Sequence, residues 1–262
     1  MRPVDLTGSS GGRPMRLTAD SARLTLDQPG FSLSNLTFAI GPRDAAVQLT
    51  AASLTGRAAA AGFGGTLGGG GGRIGAVPLI VEKTEGKWGF AGGTLKFTAG
   101  LTVHDAQAKA RFVPLNVPDF ALTLRDGRIA AGGSLRARRN GALVATADIA
   151  HDLGSGKGRA DLLVPKLVFD GSLQPEDVTP LALGVVANVV ATVTGDGHIA
   201  WDRAGVTSTG QFRTDNAKLA AAFGPVEGLT GQLRFTDLLG LVSAPGQEMR
   251  VKLVNPGVEV RD

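Results

Sequence analysis

Along most of the chain apolar and polar residues alternate with a period of two. This restricts the fold more than any other feature, because residues two apart share a face of a β-strand and each such strand then has one side to shield from water. From Ala191 to Asp202 the odd positions read Ala, Val, Gly, Gly, Ile, Trp, and the even positions Thr, Thr, Asp, His, Ala, Asp. From Val206 the parity reverses, with Val206, Gly210 and Phe212 on one face and Thr207, Thr209, Gln211 and Arg213 on the other. Leu229, Leu233 and Phe235 repeat the pattern against Thr230, Gln232, Arg234 and Thr236. Earlier runs have the same form: Ala22, Leu24 and Leu26; Leu36, Phe38 and Ile40; Val47 and Leu49; Leu95 and Phe97; Phe120, Leu122 and Leu124. Between Leu101 and Phe112 the apolar parity switches, which predicts a bulge near His104.

Turn dipeptides and tripeptides separate these runs at short intervals: Asp126-Gly127, Asn140-Gly141, Gly195-Asp196-Gly197, Arg203-Ala204-Gly205 and Gly224-Pro225. The expected fold is all-β, a long antiparallel meander of hairpins with one apolar face. Two stretches depart from it. Residues 62–75, with the core GGTLGGGGGRIG, read as a low-complexity loop. Pro175-Glu176-Asp177 followed by Val178, Leu181, Leu183 and Val186 predicts one short α-helix near 175–187 with an acidic first turn. Residues 1–15, polar and rich in Gly and Ser, read as a flexible N-terminal segment, leaving 16–262 as a single elongated β domain.

Hydrophobic residues make up 43% of the chain, yet 39 of its 262 residues are glycine and only 5% are aromatic. A broad, thin sheet suits that supply better than a thick core. The absence of cysteine excludes disulfides, thiolate catalysis and Cys-based zinc sites. The net charge of +4 has one dense cluster, Arg136, Arg138 and Arg139, which reads as a solvated strand end. Without basic residues interleaved with aromatics there is no basis for nucleic-acid binding. No apolar stretch reaches the roughly 20 residues a spanning helix needs, and no signal peptide opens the chain. Its two ends read as the boundaries of a fragment.

Candidate chemistry is sparse. Gly154-Ser155-Gly156-Lys157-Gly158 lacks the upstream Gly and the Ser/Thr after Lys that a phosphate loop requires. His104, His151 and His198 are far apart in sequence; Asp196 and His198, two apart on a strand, share a face and could touch, and the polar face of a hairpin explains them. These residues give no catalytic group, metal site or cofactor. What remains is the apolar face, which either packs as the core of a sandwich or barrel or, if the sheet curls without closing, lines a hydrophobic groove suited to acyl chains.

The run DVTPLALG from Asp177, then GDGHIAWDRAGVTSTGQFRTDNAKLAAAFGPVEGLTGQLRFTDLLGLVSAPGQ, then NPGVEV, resembles the C-terminal part of YdbH-type proteins of Gram-negative bacteria. These belong to the AsmA-like group that includes TamB and YhdP. The resemblance implies a curled, open (taco-like) sheet enclosing an apolar groove, in the periplasm. It implies a non-enzymatic protein that carries phospholipid towards the outer membrane, with an inner-membrane anchor outside this chain and protein partners at the inner and outer membranes. Under it Val193, Ile199, Trp201, Val206, Phe212, Leu233 and Phe235 are candidates for lipid contact, and Trp201 is expected at a groove rim with its N–H bonded to water. The rival expectations are a closed β-sandwich or adhesin-like module, a scaffold offering open sheet edges, and a carbohydrate-active enzyme. The last is poorly supplied by a chain with no tyrosine and two tryptophans.

Overall fold

In a computed structural model the described residues are 2–10, 13–27, 29–41, 47–74 and 78–255. Strands account for 74% and helical turns for 3%, so most backbone hydrogen bonds lie between strands. Fourteen long strands follow one another: β1 (Arg2–Ser10), β2 (Arg13–Thr25), β3 (Gly30–Ile40), β4 (Val47–Ala59), β5 (Gly62–Ile74), β6 (Leu79–Ala91), β7 (Thr94–Asp105), β8 (Leu115–Arg125), β9 (Arg128–Ala137), β10 (Leu143–Asp152), β11 (Gly158–Phe169), β12 (Val186–Trp201), β13 (Val206–Ala221) and β14 (Gly224–Asp237). Three two-residue strands complete the order: β15 (Val242–Ser243), β16 (Met249–Arg250) and β17 (Leu253–Val254).

Each long strand pairs antiparallel with the next in sequence. The last three pieces all pair with β14 and together form a broken edge. The result is one antiparallel sheet that does not close into a barrel. Successive strands lie about 4.8 Å apart, so β1 to β14 span roughly 62 Å.

The sheet curls. Residues 106–114 join β7 to β8 and residues 170–185 join β11 to β12, yet the Val113 N–H donates to the Val178 carbonyl at 2.9 Å. The Thr179 hydroxyl donates to the Arg111 carbonyl at 2.5 Å. Beneath these connections lies the larger buried cluster, with Val103, Leu115, Val117, Leu167, Phe169 and Val189 around Leu173, which is fully buried. Asp105, whose side chain is also fully covered, receives Arg111 Nε at 2.6 Å and Nη2 at 3.0 Å. Burial alone would raise the Asp105 carboxyl, but the guanidinium and the backbone N–H groups of Arg111 and Gln107 outweigh it and hold the carboxyl at about 2. A smaller cluster of Ala19, Leu36 and Ala51 sits on β2 to β4.

Several local expectations are corrected. Of the expected loop 62–75, Gly62–Ile74 is instead strand β5, paired on both sides, and residue 75 lies outside the described residues. Of residues 1–15, expected to be flexible, 2–10 form β1 and 13–15 begin β2, while 1, 11 and 12 lie outside the described residues. The helix expected near 175–187 is two single 3₁₀ turns, Pro175–Asp177 and Pro180–Ala182. Pro180 has no N–H to donate and restricts Thr179 to extended backbone, so the first turn stops there. No bulge lies at His104; β7 ends at Asp105 and the chain turns into its long connection, while the register shift between β7 and β8 falls between Ala99 and Leu101. Gly195-Asp196-Gly197 is no turn either and lies inside β12. Gly224-Pro225 opens β14, one step after the turn itself. The signals at 126–127, 140–141 and 203–205 do fall between consecutive strands.

Candidate functional site

The period-two pattern places apolar side chains on one face, and strand register lines them up across the sheet. Leu24 pairs with Phe31 and Phe31 with Gly56. Gly65 pairs with Trp88, Trp88 with Phe97 and Phe97 with Leu122. The row continues through Ala131, Ile149, Ala160 and Ile199 to Ser208 on β13. It is therefore one inner face, apolar from β2 to β12, that ends on a polar residue.

Glycines on this face give space to large neighbours. A Cβ at Gly56 would lie 2.4 Å from the Phe31 ring and 2.8 Å from the Trp88 ring. One at Gly158 would meet the Trp201 indole at 2.3 Å, and one at Gly195 the Phe212 ring at 2.5 Å. Gly197 and Gly210 together seat Leu238, which follows β14 and turns back over the sheet. The large side chains lie flat over their neighbours' missing ones, so the face stays smooth and its backbone is covered. Ser208 holds the Leu238 turn: its hydroxyl donates to Asp237 at 2.6 Å and accepts from the Leu239 N–H at 2.9 Å. The Ser208 hydroxyl foremost, and then the Gly240 backbone N–H, which donates to Asp237 at 3.0 Å, hold the Asp237 carboxyl below the usual range.

All seven residues singled out from sequence lie on this face. Phe212 pairs with Leu233, and its ring meets Phe235 edge-on with centroids 6.0 Å apart. Val193 and Phe212 pack against the buried cluster around Leu173, and Ile199 is buried. Leu233 and Phe235 are half-buried, and Val206 is 40% exposed. Trp201 stands at the end of β12, and its indole N–H, expected to bond water, donates to His151 Nδ1 at 3.2 Å while its ring stacks on that imidazole. The expected proximity of Asp196 and His198 is not realised as a pair: His198 Nδ1 lies 2.5 Å from Asp161, which also pairs with Arg159, and Asp196 accepts from Gln211. Sequence reasoning did not single out Phe31, Trp88, Phe63 or Phe90 as part of the site. The same alternation marks Phe31 and Phe97 as apolar-face residues, whereas Phe63 lies inside the glycine-rich run and is hidden by its composition, and Phe90 lies beyond it on β6. Leu238 carries no strand signal at all.

A meander whose apolar face runs unbroken across eleven strands defines a protein that offers an extended apolar surface rather than one wrapped around a compact core. The sequence profile of a family described as intermembrane phospholipid transport protein YdbH matches residues 2–262, and the chain belongs to this YdbH-like family. The match extends the likeness seen at 177–260 to almost the whole chain. The family's description is that of a lipid transport protein. No curated protein and no solved structure matches the chain. Among the described residues no helix is long and apolar enough to cross a membrane, and no three metal-ligating side chains come together.

Proposed function

We propose that this chain binds phospholipid acyl chains along its inner face, which acts as a hydrophobic groove, and conducts them through the periplasm towards the outer membrane. The observation that carries this reading is the unbroken apolar row from Leu24 to Ile199 on a sheet that stays open. Each methylene moved from water onto such a surface contributes about 0.8 kcal/mol, so a pair of acyl chains gains more than the modest interactions that hold a headgroup. The lining proposed is Val193, Ile199, Trp201, Val206, Phe212, Leu233 and Phe235, joined by Phe31, Trp88 and Phe97 on the N-terminal strands. Val193 and Phe212 border the Leu173 cluster, where the protein's own side chains fill the curl, so lipid contact there is confined to the edge of the cluster and extends along the stretches on either side.

Native mass spectrometry of the purified chain, followed by lipid extraction, tests the reading. Retained phospholipid supports it. A stable, lipid-free protein that takes up no phospholipid from vesicles would show that the face serves as a structural core.

A further inference from the structure

A second feature lies where the inner face meets the rim carrying the β4–β5, β6–β7 and β8–β9 turns. A cavity of about 560 Å³ is lined there by Phe63 and Phe90, by Ala59, Ala61 and Ala91, and by Lys96, Thr94, Thr123 and Arg125. The two rings belong to the apolar face, since Phe63 pairs with Phe90 and Phe90 with Leu95. Lys96, Thr94, Thr123 and Arg125 belong to the opposite face: Lys96 pairs with Gly89 and Thr123, and Thr94 with Ala91 and Arg125. Gly89 and Ala91 pair with Lys96 and Thr94, and Ala59 and Gly62 share their face, so the cavity opens on the outer face beside the rim and borders the inner face only at Phe63 and Phe90. Its lining includes two cations and two hydroxyls and no carboxylate. Lys96 makes no ion pair among the described residues, and Arg125 meets only the exposed Asp126, at 3.4 Å.

The rim itself is low. Ala60-Ala61 and Gly92-Gly93 turn the two hairpins that border the cavity; Gly92 and Gly93 have φ of 54° and 73°, and a Cβ on either would meet nothing. An amphiphile can cross such a sill with its tails on Phe63 and Phe90, both 46% exposed, and its charged end against Lys96 and Arg125. A phosphate diester fits those donors, because a guanidinium and an ammonium with nearby hydroxyls satisfy its oxygens by charge-assisted hydrogen bonds.

We propose that this rim cavity is a phosphate-headgroup site, at which Lys96 and Arg125 hold the anionic end of a phospholipid whose acyl chains lie on the inner face. The assignment rests on the acyl-chain reading above and adds to it where the headgroup goes and which charge it carries. The full chain, a Lys96→Ala/Arg125→Ala variant and a Lys166→Ala/Arg213→Ala control are each incubated with dioleoylphosphatidylglycerol and, separately, with dioleoylglycerol. The two probes differ only in the phosphate headgroup. All four side chains are exposed, so circular dichroism should report the same fold in each protein.

Loss of hydrogen bonds to a charged group should weaken phosphatidylglycerol binding by about tenfold or more in the Lys96/Arg125 variant alone, with dioleoylglycerol unaffected. Equal loss of both lipids, or no loss of phosphatidylglycerol, overturns the headgroup site and leaves the acyl-chain reading standing. Failure of the unaltered chain to take up either lipid overturns both. If inorganic phosphate, followed by ³¹P NMR, binds the unaltered chain and not the variant while phosphatidylglycerol is retained equally, the site serves a free anion and the lipid assignment falls.

Discussion

Trp88 donates its indole N–H to the carbonyl oxygen of Thr55 at 2.9 Å, although a whole strand, β5, runs between their two strands. The bond is open to it because β5 presents glycine at the crossing: a Cβ on Gly65 would lie 1.8 Å from that same carbonyl oxygen. The Trp88 ring, with Phe31 at a centroid distance of 6.0 Å, thus lies over a strand that has no side chain in its way.

Gly65→Val should therefore displace Trp88 and lower stability by about 2–3 kcal/mol, in the manner of an overpacked core. Urea unfolding, with Trp88 fluorescence followed in a Trp201→Phe background, measures it. An unchanged midpoint and emission maximum would mean that β5 is not locked beneath the ring.

The Asp105–Arg111 pair sets a pH limit. The Asp105 carboxyl is depressed from 3.8 to about 2, so its contribution is fully present above about pH 4 and is lost as pH falls through 2. The shift corresponds to about 2 kcal/mol. Urea midpoints at pH 5 and pH 2.5 should differ more for the unaltered chain than for Asp105→Asn. Arg111→Ala leaves a buried carboxylate without its partner and should cost about 3–5 kcal/mol at pH 7.

Phe212 and Phe235 touch each other, but only Phe212 also packs on the buried cluster. Phe212→Asp should lower the melting temperature strongly, since a carboxylate without a partner is costly on that surface. Phe235→Asp should chiefly reduce phospholipid retention. Parallel melting curves and lipid extraction separate the two effects; identical behaviour of both variants would contradict this division of the face.

Ser208→Ala removes the donor to Asp237 and the acceptor for the Leu239 N–H. A loss of about 1–2 kcal/mol is expected. Because the Ser208 hydroxyl is the foremost cause of the low Asp237 pKa, an NMR titration of that carboxyl should show it moving up towards the ordinary aspartate range. If it does not move, the Leu238 turn is held by other contacts.

The strands from Ala191 to Phe235 were legible because both of their faces obey the alternation, with Thr, Asp, Gln and Arg marking the outer side as clearly as Val, Ile and Phe mark the inner. β5 was not. Its pattern of Gly65, Leu67, Gly70 and Gly72 has too little hydrophobic contrast to show a period, and what makes it a strand is the size of Trp88 and Phe90 on adjacent β6 and of Phe31 on β3, two strands away, a tertiary cause that composition within the segment cannot reveal. The two 3₁₀ turns have the same lesson in miniature: Val178, Leu181 and Val186 have near-helical spacing, but Pro180 interrupts the ladder. Of the candidate site, the face of β12 to β14 was readable. The covering of Gly197 and Gly210 by Leu238 was not, since that contact depends on a turn back over the sheet.

Every long ladder in this molecule joins strands adjacent in sequence, and this has a consequence for how such a protein changes length. A hairpin added or removed at any turn leaves all other pairings in place and alters the span by two strand spacings, roughly 10 Å. The architecture behaves as a ruler with hairpins for graduations, its length set by the number of hairpins with no rerouting of the chain.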